Sequence, residues 1–281
     1  MDLQALQPLA STLALGWAFA AVVMGLLWLR MLSTRNATSV DVAWAANLGF
    51  LAVGYALLAW EAGFERRVLV AVLGSLWSAR LVWHLAKDRL WQADGAARGA
   101  DGRYADLRRR WGKQAPVKFF LFYQFQAALD AFLSLPFALA LSARGGSLGG
   151  QEIAAALLWL AALTGESVAD RQLARFKLDP KNRGRTCREG LWRLSRHPNY
   201  FFEWLSWCAF ALLASGTPLG LLAWSAPALM LYLILFVTGI PPTEEQALRS
   251  RGEDYRAYQR STSAFVPWFP KKESAACGTN P

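Results

Sequence analysis

The chain has 281 residues, 54% of them hydrophobic and 14 of them tryptophan, with a positive mean hydropathy and yet a formal net charge of +10. A soluble domain does not combine these properties comfortably, whereas a polytopic membrane protein with apolar spans and basic loops does. Three scattered cysteines and two histidines exclude a disulfide framework and a multi-histidine metal centre, so no metal is implied, and arginines that cluster in loops between long apolar runs speak against nucleic acid as a partner.

Seven apolar runs follow along the chain, at about 11–30, 40–60, 67–87, 118–143, 152–170, 201–216 and 219–240. Most reach the roughly 20 residues that a bilayer crossing needs. The fold expected is all-α, a polytopic bundle of about seven transmembrane helices in one domain over 1–270, with a flexible tail over 271–281. The first run carries Asp2 and no basic residue before Arg30, unlike a signal peptide, and this asymmetry puts the N-terminus outside. Seven crossings then bring the basic segments at 30–35, 88–118, 171–200 and the C-terminus to the cytoplasmic side, in agreement with the positive-inside rule.

In the second run Asp41, Trp44 and Asn47 are spaced by three residues and share a helical face. Asp41 either anchors at the interface or belongs to a polar face turned toward a cavity. In the third run Arg80, His84, Lys87 and Asp88 recur at i, i+4, i+7 and i+8 on an otherwise apolar helix. Arg80 and His84 stand too deep for loop residues, and the alternative for His84 is a buried, satisfied structural histidine. The fourth run holds Gln124, Gln126 and Asp130, each needing a partner at that depth. Asp130 either binds substrate or pairs with Arg80, the pairing being preferred, and Pro136 is expected to kink the helix.

The fifth run leads through Glu166, Asp170, Arg175 and Lys177 into the densest polar stretch of the chain, KLDPKNRGRTCREGLWRLSRHPNYFFEWLSW over 177–207. Basic side chains, among them Lys177 and Arg196, stand beside Asn182, His197, Asn199 and Tyr200, and Glu203 falls in the first turns of the next apolar helix. Basic groups and amides next to an acid are what one would place around a phosphate-bearing cofactor reaching into a membrane cavity. The plainer alternative is a cytoplasmic loop whose charge only sets topology. After the seventh run, Pro241 and Pro242 are expected to end the helix. A short amphipathic helix with Tyr255 and Tyr258 follows, then an aromatic PWF at 267–269 suited to the membrane interface. There is no GxGxxG after a strand, no Walker lysine motif and no GxSxG elbow, so any nucleotide must be held by side chains.

The stretch DRQLARFKLDPKNRGRTCREGLWRLSRHPNYFFEWLSW resembles the signature of the membrane steroid 5-alpha-reductase family, specifically its bacterial branch. The match is closer from the fifth run to the C-terminus than over the first four. The RHPNY core and the EEQAL…RGEDY…FVPW tail also resemble isoprenylcysteine carboxyl methyltransferases, which use S-adenosylmethionine. The FKLDPKNRGRTC segment and the Arg80–His84 stripe favour the reductase. That resemblance implies a seven-helix bundle of the bacterial inner membrane, binding NADPH on the cytoplasmic side and an apolar steroid-like or other lipid substrate from the bilayer. Hydride passes to the β-carbon of an enone while an acid polarises the carbonyl oxygen. The family's catalytic tyrosine position falls on His84 here, with Arg80 and Arg89 matching flanking arginines and expected to contact the cofactor. No glutamate stands in the second run, which leaves Asp41 as its one carboxylate. By the same matching Asp170, Arg175, Asn199, Tyr200 and Glu203 fall near cofactor-contacting positions, and Tyr255 is placed with them. The family's cofactor-side histidine finds only Glu244 or Glu245 and is not carried over. A methyltransferase and a non-catalytic lipid-binding protein are the competing readings.

Overall fold

The computed structural model describes residues 3–89, 102–143, 145 and 147–271. Every regular element among them is a helix, accompanied by isolated bridges between Ala62 and Gly145 and between Ser195 and Ser263. Five stretches are long and apolar enough to cross a membrane: Leu6–Thr34, Ser39–Leu58, Phe64–Lys87, Gly150–Leu178 and Gly220–Ser261. The chain is an all-α polytopic membrane protein.

The other two expected runs form helices of a different kind. The fourth is broken: α5 (Ala115–Leu133) ends at Ser134 and a short α6 (Leu135–Ala140) restarts with Pro136 in its first turn. Proline has no N–H to donate and fits a first turn, so the helix is interrupted at Ser134, two residues before Pro136. The sixth is α8 (Pro198–Ala214), 17 residues long.

Two compact units divide the chain. The first takes residues 1–153 and 211–226, the second 154–210 and 227–281. In the first unit, α1 (Leu3–Thr34) packs along α5 through Met24, Met31, Phe119, Tyr123 and Ala127, and the Trp28 indole N–H donates to the Pro116 carbonyl at 2.9 Å. α2 (Ser39–Leu58) and α3 (Phe64–Arg89) form a tight helical hairpin. A Cβ on Gly74 would lie 2.4 Å from that of Ala52, so the absent side chain is what lets the backbones approach. Outward on α1, Leu15, Val22 and Leu26 are each more than 60% exposed. Such a continuous apolar exterior belongs in lipid.

Several polar side chains inside this unit are paired with one another. Asn47 donates to Asp130 Oδ2 at 2.9 Å, the Tyr55 hydroxyl meets Ser134 at 3.0 Å, and Arg66 reaches Glu152 at 2.6 Å. The expected Asp130–Arg80 pair is therefore replaced by Asp130–Asn47. An amide meets the acid's need for a donor without bringing a second charge into the apolar interior.

In the second unit, most of α7 (Gly150–Leu178) packs on α8 at Gly165, where a Cβ would lie 2.4 Å from the Phe202 ring. α9 (Ser225–Tyr232) runs into a π-turn over Leu233–Val237, and α10 (Ile240–Ser261) follows. Pro241 and Pro242 open α10 rather than ending its predecessor, again because the first turn tolerates a missing N–H. α10 is 22 residues long and kinks at Gly252, whose φ of 52° lies in the left-handed region. From Glu244 onward α10 is densely charged, so the apolar spanning run ends near Val237 and α10 lies beyond it.

Candidate functional site

The polar stretch identified in the sequence is folded onto α7 and α10 within the second unit. Two devices fix it on α7. Gln172 accepts from the Leu191 backbone N–H at 2.9 Å, and the Trp192 indole donates to the Ala169 carbonyl at 2.9 Å. Gly190 makes the turn between them with φ of 55°, so close to Gln172 that a Cβ would lie 2.3 Å from its side-chain nitrogen. Only glycine meets both demands.

On the α10 side the hub is Glu244. Its Oε1 accepts from Arg196 Nε at 2.6 Å, faces His197 Nε2 at 3.2 Å and accepts from the Tyr255 hydroxyl at 3.3 Å; its Oε2 accepts from Gln259 at 2.7 Å. Burial alone would raise this carboxyl, but the hydrogen bonds from His197, Arg196 and Gln259, with the Arg196 charge, pull it down to about 2. An ionised carboxylate can only accept, so Glu244 selects the tautomer of His197 that carries its proton on Nε2. Arg196 Nη1 donates to the carbonyls of Thr262 at 2.6 Å and Gln259 at 3.1 Å. Both Arg196 and His197 are thus engaged in holding the turn before α8.

That turn aims the next residues. The His197 ring stacks on Tyr200 with centroids 5.3 Å apart, and the Tyr200 hydroxyl meets Thr243 Oγ1 at 3.1 Å. Thr243 spends its own proton on the Gly239 carbonyl, so Tyr200 is the donor in this pair. Asn199 donates to Asp170 at 3.4 Å, joining α8 to α7, and Glu203 accepts from the Trp207 indole at 3.0 Å. Asn182 is turned inward, donating to the Phe176 carbonyl at 3.0 Å. Arg188 and Thr186 both bind Asp254.

A different group of cations is uncommitted. Arg175, Lys177, Lys181, Arg183, Arg185 and Arg193 are exposed and make no ion pair or side-chain hydrogen bond among the described residues. The sequence therefore contained two populations of basic residues, one structural and one available, which only their contacts separate.

Asp41 and His84, expected to act on substrate, lie in the first unit, and so do Arg80 and Arg89, which were expected to contact the cofactor. Asp41 is half-buried in the first turn of α2 and accepts from the Tyr104 hydroxyl at 2.8 Å. Tyr104 lies on α4 (Gly102–Trp111), and nothing in its sequence spacing signals the bond. Arg80 is half-buried. His84 is exposed on α3, one turn beyond the half-buried Arg80, and is not the buried histidine considered from sequence. Arg89 closes α3, and its side chain lies outside the described residues. Glu244 was the main omission. Its neighbours in sequence are acidic and polar, and only the fold brings it against Arg196 and His197. Among the described residues no group of His, Cys, Asp or Glu is arranged to hold a metal.

Comparison with known proteins gives two matches to report. A family described as a protein of unknown function, DUF1295, matches residues 27–262. An uncharacterized protein of Schizosaccharomyces pombe is 28% identical over 279 residues, covering 90% of this chain and 78% of its own. No solved structure matches.

Proposed function

The chain belongs to the DUF1295 family, within the steroid 5-alpha-reductase-like group, and from that premise we propose that it is an NADPH-dependent membrane reductase. It reduces a C=C bond conjugated to a carbonyl in an apolar lipid. The observation that supports this reading is the set of uncommitted cations at the end of α7 and in the loop after it, on the same helix as the Asp170–Asn199 pair. Exposed guanidinium and ammonium groups without protein partners fit a polyanionic ligand. S-adenosylmethionine carries no phosphate and has less use for them.

In this reading Arg175 and Lys177 hold phosphate oxygens, while Asp170 and Asn199 offer an acceptor and a donor to sugar hydroxyl or amide groups. NADPH supplies the hydride when bound. Arg196, His197 and Glu244 keep the turn before α8 in place, so that Asn199 and Tyr200 are already oriented. Reduction also requires a proton donor at the carbonyl oxygen, and we assign it to His84, with Asp41 as the alternative acid. The positive-inside rule puts the cofactor segment on the cytoplasmic side.

One observation keeps the methyltransferase as a second reading. Arg196 and His197 join Glu244 directly, and these are the two segments shared with isoprenylcysteine carboxyl methyltransferases. Thermal-shift titration of the detergent-solubilised protein separates the readings. NADPH should stabilise it more than NADH, since each charge-assisted contact to the extra phosphate is worth roughly 1.5–3 kcal/mol. Stabilisation by S-adenosylmethionine alone would transfer the assignment to the methyltransferase, and no response to any of the three would leave a lipid-binding protein.

A further inference from the structure

The segment that follows α10 is tied down along its backbone while its largest side chains point outward. Arg196 N–H donates to the Ser263 carbonyl at 2.8 Å, Ser195 Oγ to the Phe265 carbonyl at 2.8 Å, and Trp268 N–H to the Leu194 carbonyl at 2.9 Å. Lys271 N–H closes it on the Ser261 carbonyl at 2.8 Å. Phe265 is buried against Phe201 and Trp204 of α8, with ring centroids at 5.6 and 5.9 Å. The side chains between these fixings are exposed: Val266 by 52%, Trp268 by 69% and Phe269 by 80%. Pro267 and Pro270 flank the two aromatics and restrict their backbone. A loose loop would fold its aromatics inward; this one is held so that it cannot.

We propose that this strap is a bilayer-surface anchor, seating Val266, Trp268 and Phe269 at the headgroup–acyl boundary beside anionic lipid phosphates. Two observations choose lipid as the occupant. The strap is bonded to Leu194, Ser195 and Arg196, the residues just before the apolar helix α8 begins at Pro198, and the ends of such helices are where interfacial tryptophan and phenylalanine reside. Cations stand at its end and beside one of its fixings. Within 262–271 the single charged residue is Lys271, and Arg193, adjacent to Leu194, is exposed and uncommitted. Cations flanking exposed aromatics match an anionic headgroup layer. Because the strap shares backbone hydrogen bonds with Leu194 and Arg196 and accepts from the Ser195 hydroxyl, its seating on the membrane also steadies the turn that carries His197. The proposal does not depend on the identity of the cofactor.

The test uses the full chain in lipid nanodiscs, in a Cys277→Ser background. Cys187 and Cys208 are buried and remain. A nitroxide is placed at Phe269→Cys, with Ser250→Cys on the exposed side of α10 as reference, and collision with oxygen and with a water-soluble nickel chelate is measured. The label at 269 should favour oxygen over nickel several-fold more than the label at 250. It should move deeper when phosphatidylglycerol replaces phosphatidylcholine. Arg193→Gln with Lys271→Gln should abolish that lipid dependence. Nickel access at 269 equal to that at 250 would overturn the proposal, as would shielding from both reagents with spin–spin broadening, which would mean a second copy of the chain. Insensitivity to lipid charge would overturn the headgroup assignment. Val266→Cys repeats the measurement at a second exposed position.

Discussion

Replacing Glu244 by glutamine tests whether the turn before α8 is held by charge. The substitution keeps the size of the side chain and removes an ionised acceptor that serves Arg196, His197, Tyr255 and Gln259. The amide nitrogen of glutamine would also face one of these donors. Glu244 falls from an ordinary 4.5 to about 2 in the folded protein. Each unit of difference is worth about 1.4 kcal/mol, so ionisation contributes at most about 3 kcal/mol to stability at neutral pH. The side chain is 14% exposed, so solvent screening takes only part of this. The folded value is the depressed one, so this stability is fully present above about pH 4.5 and is lost as pH falls toward 2. Wild type and Glu244→Gln should therefore differ by roughly 1–3 kcal/mol at pH 7, and the gap should close between about pH 5 and 2. Denaturant unfolding in detergent, followed by circular dichroism across that range, reads the gap. Equal stability at pH 7, or a gap that does not change with pH, would refute the electrostatic account of the hub.

The remaining predictions concern single contacts. Gly190→Ala should destabilise the second unit by at least about 1–2 kcal/mol, because a side chain there meets both a left-handed φ and Gln172; unfolding midpoints measure it, and Gln172→Ala should restore part of the loss. Asp130→Ala should cost about 1–3 kcal/mol by leaving the Asn47 amide without its acceptor, whereas Arg80→Ala should leave the Asp130–Asn47 contact intact; denaturant unfolding compares the two. His84→Phe should keep NADPH binding and lose about 10²–10⁴-fold in single-turnover NADPH oxidation with an enone substrate. A wild-type rate would move the acid to Asp41. Because His84 is exposed, stability should hardly change, so loss of rate together with folding would count against the assignment.

Apolar length and charge distribution by themselves determined the class of this protein. Runs of about 20 hydrophobic residues cannot be left in water, and their backbone must be helical in lipid whatever their neighbours do. The same local logic marked Pro136 as a point where the fourth run departs from a straight helix and the 177–207 stretch as the polar centre, since these features depend on residues near one another in sequence. Tertiary structure alone decided which polar residue meets which. Asp130 takes Asn47 rather than Arg80, because a buried acid finds a donor at lower cost in an amide than in a cation that must itself be desolvated. Arg196 and Arg175 look alike in sequence, yet one is bound to Glu244 and the other is available, a difference set by a residue 48 positions away. His84 shares its spacing with Arg80, and periodicity shows that they lie on one face without showing which way that face turns. Pairings across long separations are fixed by packing and desolvation in the folded chain, and no local pattern encodes them.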